Sequence, residues 1–203
     1  CLDTKDPHKI IETCRLIAPS FGGINLEDIS APRCFQIEEA LQDLGIPVFH
    51  DDQHGTAIVL LAGLINAAKV VGKNIKDLRV VINGAGAAGT AIARLISGVG
   101  VEQASLDPVQ DVLLCDSRGI ISGKREDLNE EKEKLLTFSN NHNVSGSLKD
   151  ALSNADVFIG VSKGNLLTSV DISSMADNAI IFGMANPVPE IMPEEAIKGG
   201  AAV

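Results

Sequence analysis

The stretch that decides the fold is Leu78-Arg79-Val80-Val81-Ile82-Asn83-Gly84-Ala85-Gly86-Ala87-Ala88-Gly89-Thr90-Ala91-Ile92-Ala93. Val80, Val81 and Ile82 form the short β-branched run of a buried strand, and Ile92, Ala93, Leu95 and Ile96 follow at helical spacing. Between strand and helix stands Gly84-x-Gly86-x-x-Gly89. The chemistry needs those spacings: Gly84 permits a tight turn, and Gly86 lets backbone N–H groups approach a pyrophosphate. Gly89 lets the new helix pack closely on its strand, so that its positive N-terminus faces the anion. Ala85, Ala87 and Ala88 complete the cradle. Glycines also close ordinary βα turns; the strand before and the helix after raise this one to a dinucleotide site.

Outward from that turn, strands and helices alternate. Asp111-Val-Leu-Leu-Cys-Asp116 is the next strand, with a carboxylate at its tip where an adenosine ribose would bind. Asp116 lies 27 positions beyond Gly89, longer than the usual spacing of about 20, and an insertion from Val99 to Gln110 accounts for the excess. Asp156–Ser162 and Ala179–Ala185 read as further strands, ending at Gly160, Val161 and Ser162 and at Asn186. The segment from Asn129 to Asn140 is charged and reads as an exposed helix or loop. Ser147 and Asp150 have the spacing of a helix cap. The fold class that follows is α/β: a doubly wound, mostly parallel, Rossmann-like sheet, preceded by a short α/β segment. Ligands of such sheets collect at the strand carboxyl ends, where Gly84, Asp116, Gly160 and Asn186 fall.

Before the turn, Asp6-Pro7 caps a first helix. Short strands at Phe21–Leu26 and Pro47–His50 each deliver an acidic pair, Glu27-Asp28 and Asp51-Asp52. A helix from Arg33 to Leu44 separates them, and a long one from Gly55 to Val71 follows, stopped by Gly72. The domain division is therefore 1–54, a metal- and substrate-side segment, and 55–203, the dinucleotide-binding domain. Glu27, Asp28 and Asp52 would repel one another unless a cation lay among them, and hard oxygen donors without cysteine suit Mg²⁺ or Mn²⁺. Helix caps and solvated turn acids are the alternative for the same residues. His50 and His54 flank Asp51-Asp52 as possible ligands or as structural histidines.

Composition narrows the function. In 203 residues, 45% are hydrophobic and only 3% aromatic, with no Trp or Tyr, so the core is aliphatic. A net charge of −10 argues against nucleic acid or an anionic membrane as partner. Four unpatterned cysteines suit a reducing compartment. No apolar run appears long enough in the sequence to span a bilayer, since Gly63 and Asn66 interrupt the longest, which points to a cytoplasmic protein. The chain starts without Met and stops at Gly199-Gly-Ala-Ala-Val203, which reads as part of a longer protein.

Four motifs in order, Phe21-Gly-Gly-Ile-Asn-Leu-Glu-Asp-Ile-Ser, His50-Asp-Asp-Gln-His-Gly-Thr-Ala, Asn83-Gly-Ala-Gly-Ala-Ala-Gly and Phe182-Gly-Met-Ala-Asn-Pro-Val-Pro-Glu, resemble malic enzyme of the compact bacterial and archaeal type. The resemblance spans nearly the whole chain. It implies oxidative decarboxylation of (S)-malate to pyruvate and CO₂ with NAD or NADP, in a homodimer. It further implies Glu27, Asp28 and Asp52 as ligands of Mg²⁺ or Mn²⁺, Gly84–Gly89 under the cofactor phosphates and Asp116 on the ribose. Thr56 would lie close to the cofactor, Gly160–Ser162 along its cleft and Asn186 beside nicotinamide and substrate. The family's general base, a Lys, and general acid, a Tyr, belong to a region before Cys1. Lys69, Lys73 and Lys163 stand outside the lysine motif, and within the chain only Asp51 is a catalytic candidate. A metal-free nicotinamide dehydrogenase and a non-catalytic dinucleotide-binding module are the other readings. Asp116 favours NAD⁺ by repelling a 2′-phosphate, whereas Arg118 could accept one.

Overall fold

A computed structural model describes residues 1–100 and 107–203; part of the expected insertion at 99–110 therefore lies outside the described residues. Five strands form the main sheet: β3 (Arg79–Asn83), β4 (Asp111–Asp116), β5 (Gly119–Ile120), β6 (Val157–Gly160) and β7 (Ile180–Gly183), in the order β5-β4-β3-β6-β7. All neighbours are parallel except the β4–β5 hairpin. The expected mostly parallel sheet is present, with one short antiparallel edge. Strands β6 and β7 are shorter than the sequence suggests, although Asp156, Val161 and Met184 still donate to carbonyls of the neighbouring strands and Ala179 pairs with Ala201 as an isolated bridge.

Both faces of the sheet are covered, as parallel strands require, and alternate side chains feed two separate cores. Val80, Ile82, Val112, Leu114, Val157 and Ile159 point to one, filled by α3 (Thr56–Val71) and α4 (Ala87–Ile96). Val81, Leu113, Cys115 and Phe158 point to the other, covered by α6 (Leu148–Leu152), α7 (Ser169–Ile172) and α8 (Pro193–Lys198). Ser147 and Asp150 form a reciprocal cap on α6, and Gly72, at φ 71°, ends α3 in the left-handed conformation that glycine adopts freely.

The first residues make a smaller unit. Helix α1 (Pro7–Ile17) begins at Asp6, whose side chain accepts the His8 N–H at 2.9 Å. It packs with α2 (Arg33–Ala40) over a parallel pair, β1 (Ile24–Leu26) and β2 (Val48–His50), around Ile10, Cys14, Leu26, Ile37 and Leu41. Helix α2 stops four residues short of expectation, its last turns loosening at Leu41. Residues Asp51–Gly55 form a π-helical turn that runs straight into α3. That continuity overturns the expectation that no apolar run is long enough for a bilayer: Asp51–Val71 reaches mean hydropathy 1.6, long and apolar enough by length and composition alone. Asn66 is accommodated because its side-chain amide donates to Ala62 O at 2.7 Å, and Leu60, Leu64, Ala67 and Ala68 are buried in the core.

Candidate functional site

The carboxyl ends of the central strands lie in one row. Asn83 is opposite Cys115 on one side and Gly160 on the other, and Gly160 is opposite Gly183. Strand β3 has β4 on one flank and β6 on the other, so the chain reverses direction across the sheet at β3. Ligand crevices open at such switch points. The glycine turn sits there. Gly84 has φ 124°, and a Cβ on it would lie 2.8 Å from Val161 O. A Cβ on Gly89 would collide with Gly84 O, whereas Gly86 has open space. Among the described residues no side chain caps α4, so its first N–H groups stay available to an anion. Gly86, Ala85 and Thr90 line a slot of about 210 Å³ whose other wall is Ala31, Pro32, Phe35 and Lys132. Gly160 ends β6, with Val161 and Ser162 just beyond it, and Asn186 lies three residues past β7, with Asn186–Pro187 a cis peptide.

Asp116 stands at the tip of β4 as expected, but it is not free. Its Oδ1 accepts the Arg118 N–H at 2.8 Å and Arg125 Nη1 at 2.9 Å. Its Oδ2 accepts Arg125 Nη2 at 3.0 Å and Lys132 Nζ at 2.6 Å. Burial pushes the carboxyl pKa up, but hydrogen bonds from Arg125 and Lys132 outweigh it and hold the group down at about 2. Arg118 itself turns away to Asp127, 2.8 Å from its guanidinium. The polar segment from Asn129 is thus more than a solvated helix. Helix α5 (Glu130–Leu135) buries Leu135 and sends Lys132 back to the strand tip. Sequence reasoning missed Arg125 and Lys132; the basic residues of Gly123-Lys-Arg-Glu-Asp127, just past the β4–β5 hairpin, were the available signal.

The acidic pairs meet at the end of the small sheet. Leu26 is opposite His50, which sets Glu27-Asp28 beside Asp51-Asp52. The Asp28 N–H donates to Asp52 Oδ2 at 2.9 Å. Among the described residues no lysine or arginine pairs with Glu27, Asp28 or Asp52. The His50 ring is fully buried, neither nitrogen has a partner among those residues, and Nε2 lies 4.0 Å from Asp52 Oδ2. His54 instead turns to Glu38, 2.6 Å away, which also accepts Gln53 Nε2 at 3.0 Å. The carboxylates share an edge without converging: no group of three or more potential ligands is poised around one point among the described residues. As donors they fit a hard divalent cation, being oxygen-only and without a lysine or arginine partner among the described residues. Asp51 is exposed and folds over Gly55, where a Cβ would strike its carboxylate. The π turn carrying both aspartates packs against α4, and Thr56 follows as the first residue of α3.

A family model described as "Malic enzyme, NAD binding domain" matches residues 53–201. The chain belongs to the malic enzyme family. It is 52% identical over its full length to the bifunctional malic/malolactic enzyme of Bacillus subtilis, covering 48% of that protein. It is 50% identical over 97% of its length to the NAD-dependent malic enzyme of Geobacillus stearothermophilus, covering 40%. The crystal structure of an NAD-dependent malic enzyme from Thermotoga maritima superposes with TM-score 0.93 at 43% identity, matching all of this chain and 52% of that one. The chain thus spans about half the length of these malic enzymes, and what it shares with them includes their NAD-binding, Rossmann-like part.

Proposed function

We propose that the whole protein oxidatively decarboxylates (S)-malate to pyruvate and CO₂, with NAD⁺ or NADP⁺ and Mg²⁺ or Mn²⁺, as a cytoplasmic homodimer. The observation that carries the reading is a junction. The π turn bearing Asp51 and Asp52 packs on the helix that opens with the glycine turn, which supports a single cleft for dinucleotide and carboxylate cluster. The cofactor supplies hydride-accepting capacity and a divalent ion supplies positive charge toward the substrate's carboxylate and hydroxyl oxygens. Within the chain, the N–H groups around Gly84–Gly89 would hold the pyrophosphate, and Ser162 and Asn186 would face the nicotinamide. Glu27, Asp28 and Asp52 would hold the metal. Full-length protein given malate, NAD⁺ and Mn²⁺ is expected to form NADH and pyruvate in equal amounts; NADH formed without pyruvate would sink the decarboxylating reading. The buried thiols suit a reducing compartment and no chemistry: burial pushes Cys34 up to about 11 and Cys115 up to about 12.

Calorimetry tests the metal directly. Mn²⁺ is expected to bind this chain in the presence of NAD⁺, and Asp52→Asn to weaken it at least about tenfold, because a hard cation loses a charged ligand. Equal Mn²⁺ affinity in the variant would return the carboxylates to the role of turn residues.

Cofactor choice turns on Lys132. Its Nζ lies on Asp116 at the wall of the slot, where it can stay with the carboxylate under NAD⁺ or turn to a 2′-phosphate under NADP⁺. Lys132→Gln is expected to lower NADP⁺ affinity about tenfold, the worth of one charge-assisted hydrogen bond, and NAD⁺ affinity less than about twofold. Titrations showing equal losses would take the 2′ position away from Lys132.

A further inference from the structure

Glu190 is fully buried, and among the described residues neither lysine nor arginine pairs with it. A carboxylate is costly to bury, and an apolar residue would ordinarily serve a core better. Its two oxygens are divided between two turns. Oε1 accepts the Ser162 N–H at 2.9 Å, and Oε2 accepts the Ala185 N–H at 3.1 Å. Ser162 lies two residues past the end of β6 and Ala185 two past β7, and those ends are paired, Gly160 opposite Gly183. One side chain therefore bridges equivalent points beyond adjacent strands. The backbone is cut to admit it: a Cβ on Gly160 would collide with the Glu190 carboxyl group. Main-chain bonds lock the bridge in place, since Glu190 O accepts the Leu166 N–H at 2.8 Å and the Leu167 N–H at 3.1 Å.

We propose that Glu190 is the positioning residue for the nicotinamide end of the cofactor. By holding the Gly160–Ser162 and Ala185–Asn186 turns at a fixed separation, it presents Ser162 and Asn186 as a rigid pair at the carboxyl edge of the sheet. Both of those residues are exposed there, whereas Glu190 is fully buried and would act through them rather than by contact with the cofactor. The inference rests on the dinucleotide reading of the cleft and assigns work to a residue that reading leaves idle.

The test separates the two ends of the cofactor. Glu190→Gln keeps the size but turns an N–H₂ toward one of the two donors, and Glu190→Asp keeps the charge but is one methylene too short to span both. NAD⁺ and ADP-ribose, which lacks the nicotinamide, are titrated into the full-length protein and both variants of it by calorimetry, with thermal melts alongside. NAD⁺ affinity is expected to fall about tenfold in either variant, as for one buried donor left unpaired, with ADP-ribose changed less than about twofold. Equal loss of both ligands would make Glu190 a general fold support and overturn the proposal. Unchanged NAD⁺ affinity in a folded variant would also overturn it, as would unsubstituted protein that binds ADP-ribose as tightly as NAD⁺. Unsubstituted protein that binds neither would instead defeat the dinucleotide reading itself.

Discussion

Gly89→Ala is expected to destabilise the fold, and Gly86→Ala to leave it intact while weakening dinucleotide binding. The two residues differ by what surrounds a new methyl group. At Gly89 a Cβ would run into Gly84 O and come 3.4 Å from Ile82 Cγ2. Backbone cannot yield as a flexible side chain does, so α4 must move off β3. Overpacking of this kind costs about 3 kcal/mol, which in a chain of this size lowers Tm by roughly 6–12 °C. At Gly86 nothing lies within 4 Å, and φ is −92°, so alanine is accommodated within about 0.5 kcal/mol. Its methyl group, however, projects into the space where a pyrophosphate would approach the helix N-terminus. NAD⁺ affinity should therefore drop at least about tenfold in both variants, since either loses donor contacts to a charged ligand. The melting temperature should drop in only one of them. Gly86→Ala that binds NAD⁺ normally would show that the turn cradles no phosphate.

That turn was legible because two independent signals, the switch from strand to helical periodicity and the glycine spacing, fall on the same residues. The acidic tip of β4 and the stop at Gly72 were legible for the same local reason. What escaped depends on pairings between distant parts of the chain. Arg125 and Lys132 come 9 and 16 residues after Asp116, from a hairpin exit and a helix whose direction no periodicity encodes. Glu190 reaches back 28 residues to the Ser162 N–H, a backbone partner that leaves no trace in composition. The π turn at Asp51–Gly55 was invisible because its extra residue per turn is a tertiary adjustment, held by Gln53 and His54 on Glu38. The carboxylate edge lies between these cases. Its members are readable as strand ends, but only the β1–β2 register brings them together.

Arg125→Met is expected to destabilise the chain at neutral pH and to lose that effect in acid. The guanidinium makes a two-bond fork to Asp116, at 2.9 and 3.0 Å, and a second to Asp127, at 2.9 and 2.7 Å. The side chains of Arg125 and Asp116 are 14% and 10% exposed, so water compensates little for losing the pair. Removing one partner of a buried pair costs about 3–5 kcal/mol. Lys132 remains on Asp116, which brings the expected cost to roughly 2 kcal/mol, or about 4–8 °C in Tm. The pH dependence follows from the lowered carboxyl. Asp116 titrates at about 2 when folded and near 3.9 when unfolded. Its contribution is therefore complete above about pH 5 and fades as pH falls through 4 toward 2. The Tm difference between the parent chain and Arg125→Met should stay level from pH 7 to pH 5 and narrow by pH 3. A difference as large at pH 3 as at pH 7 would mean that Arg125 stabilises by packing its aliphatic stem and not by charge. Asp116 would then be freer to turn to a ribose than its four donors imply.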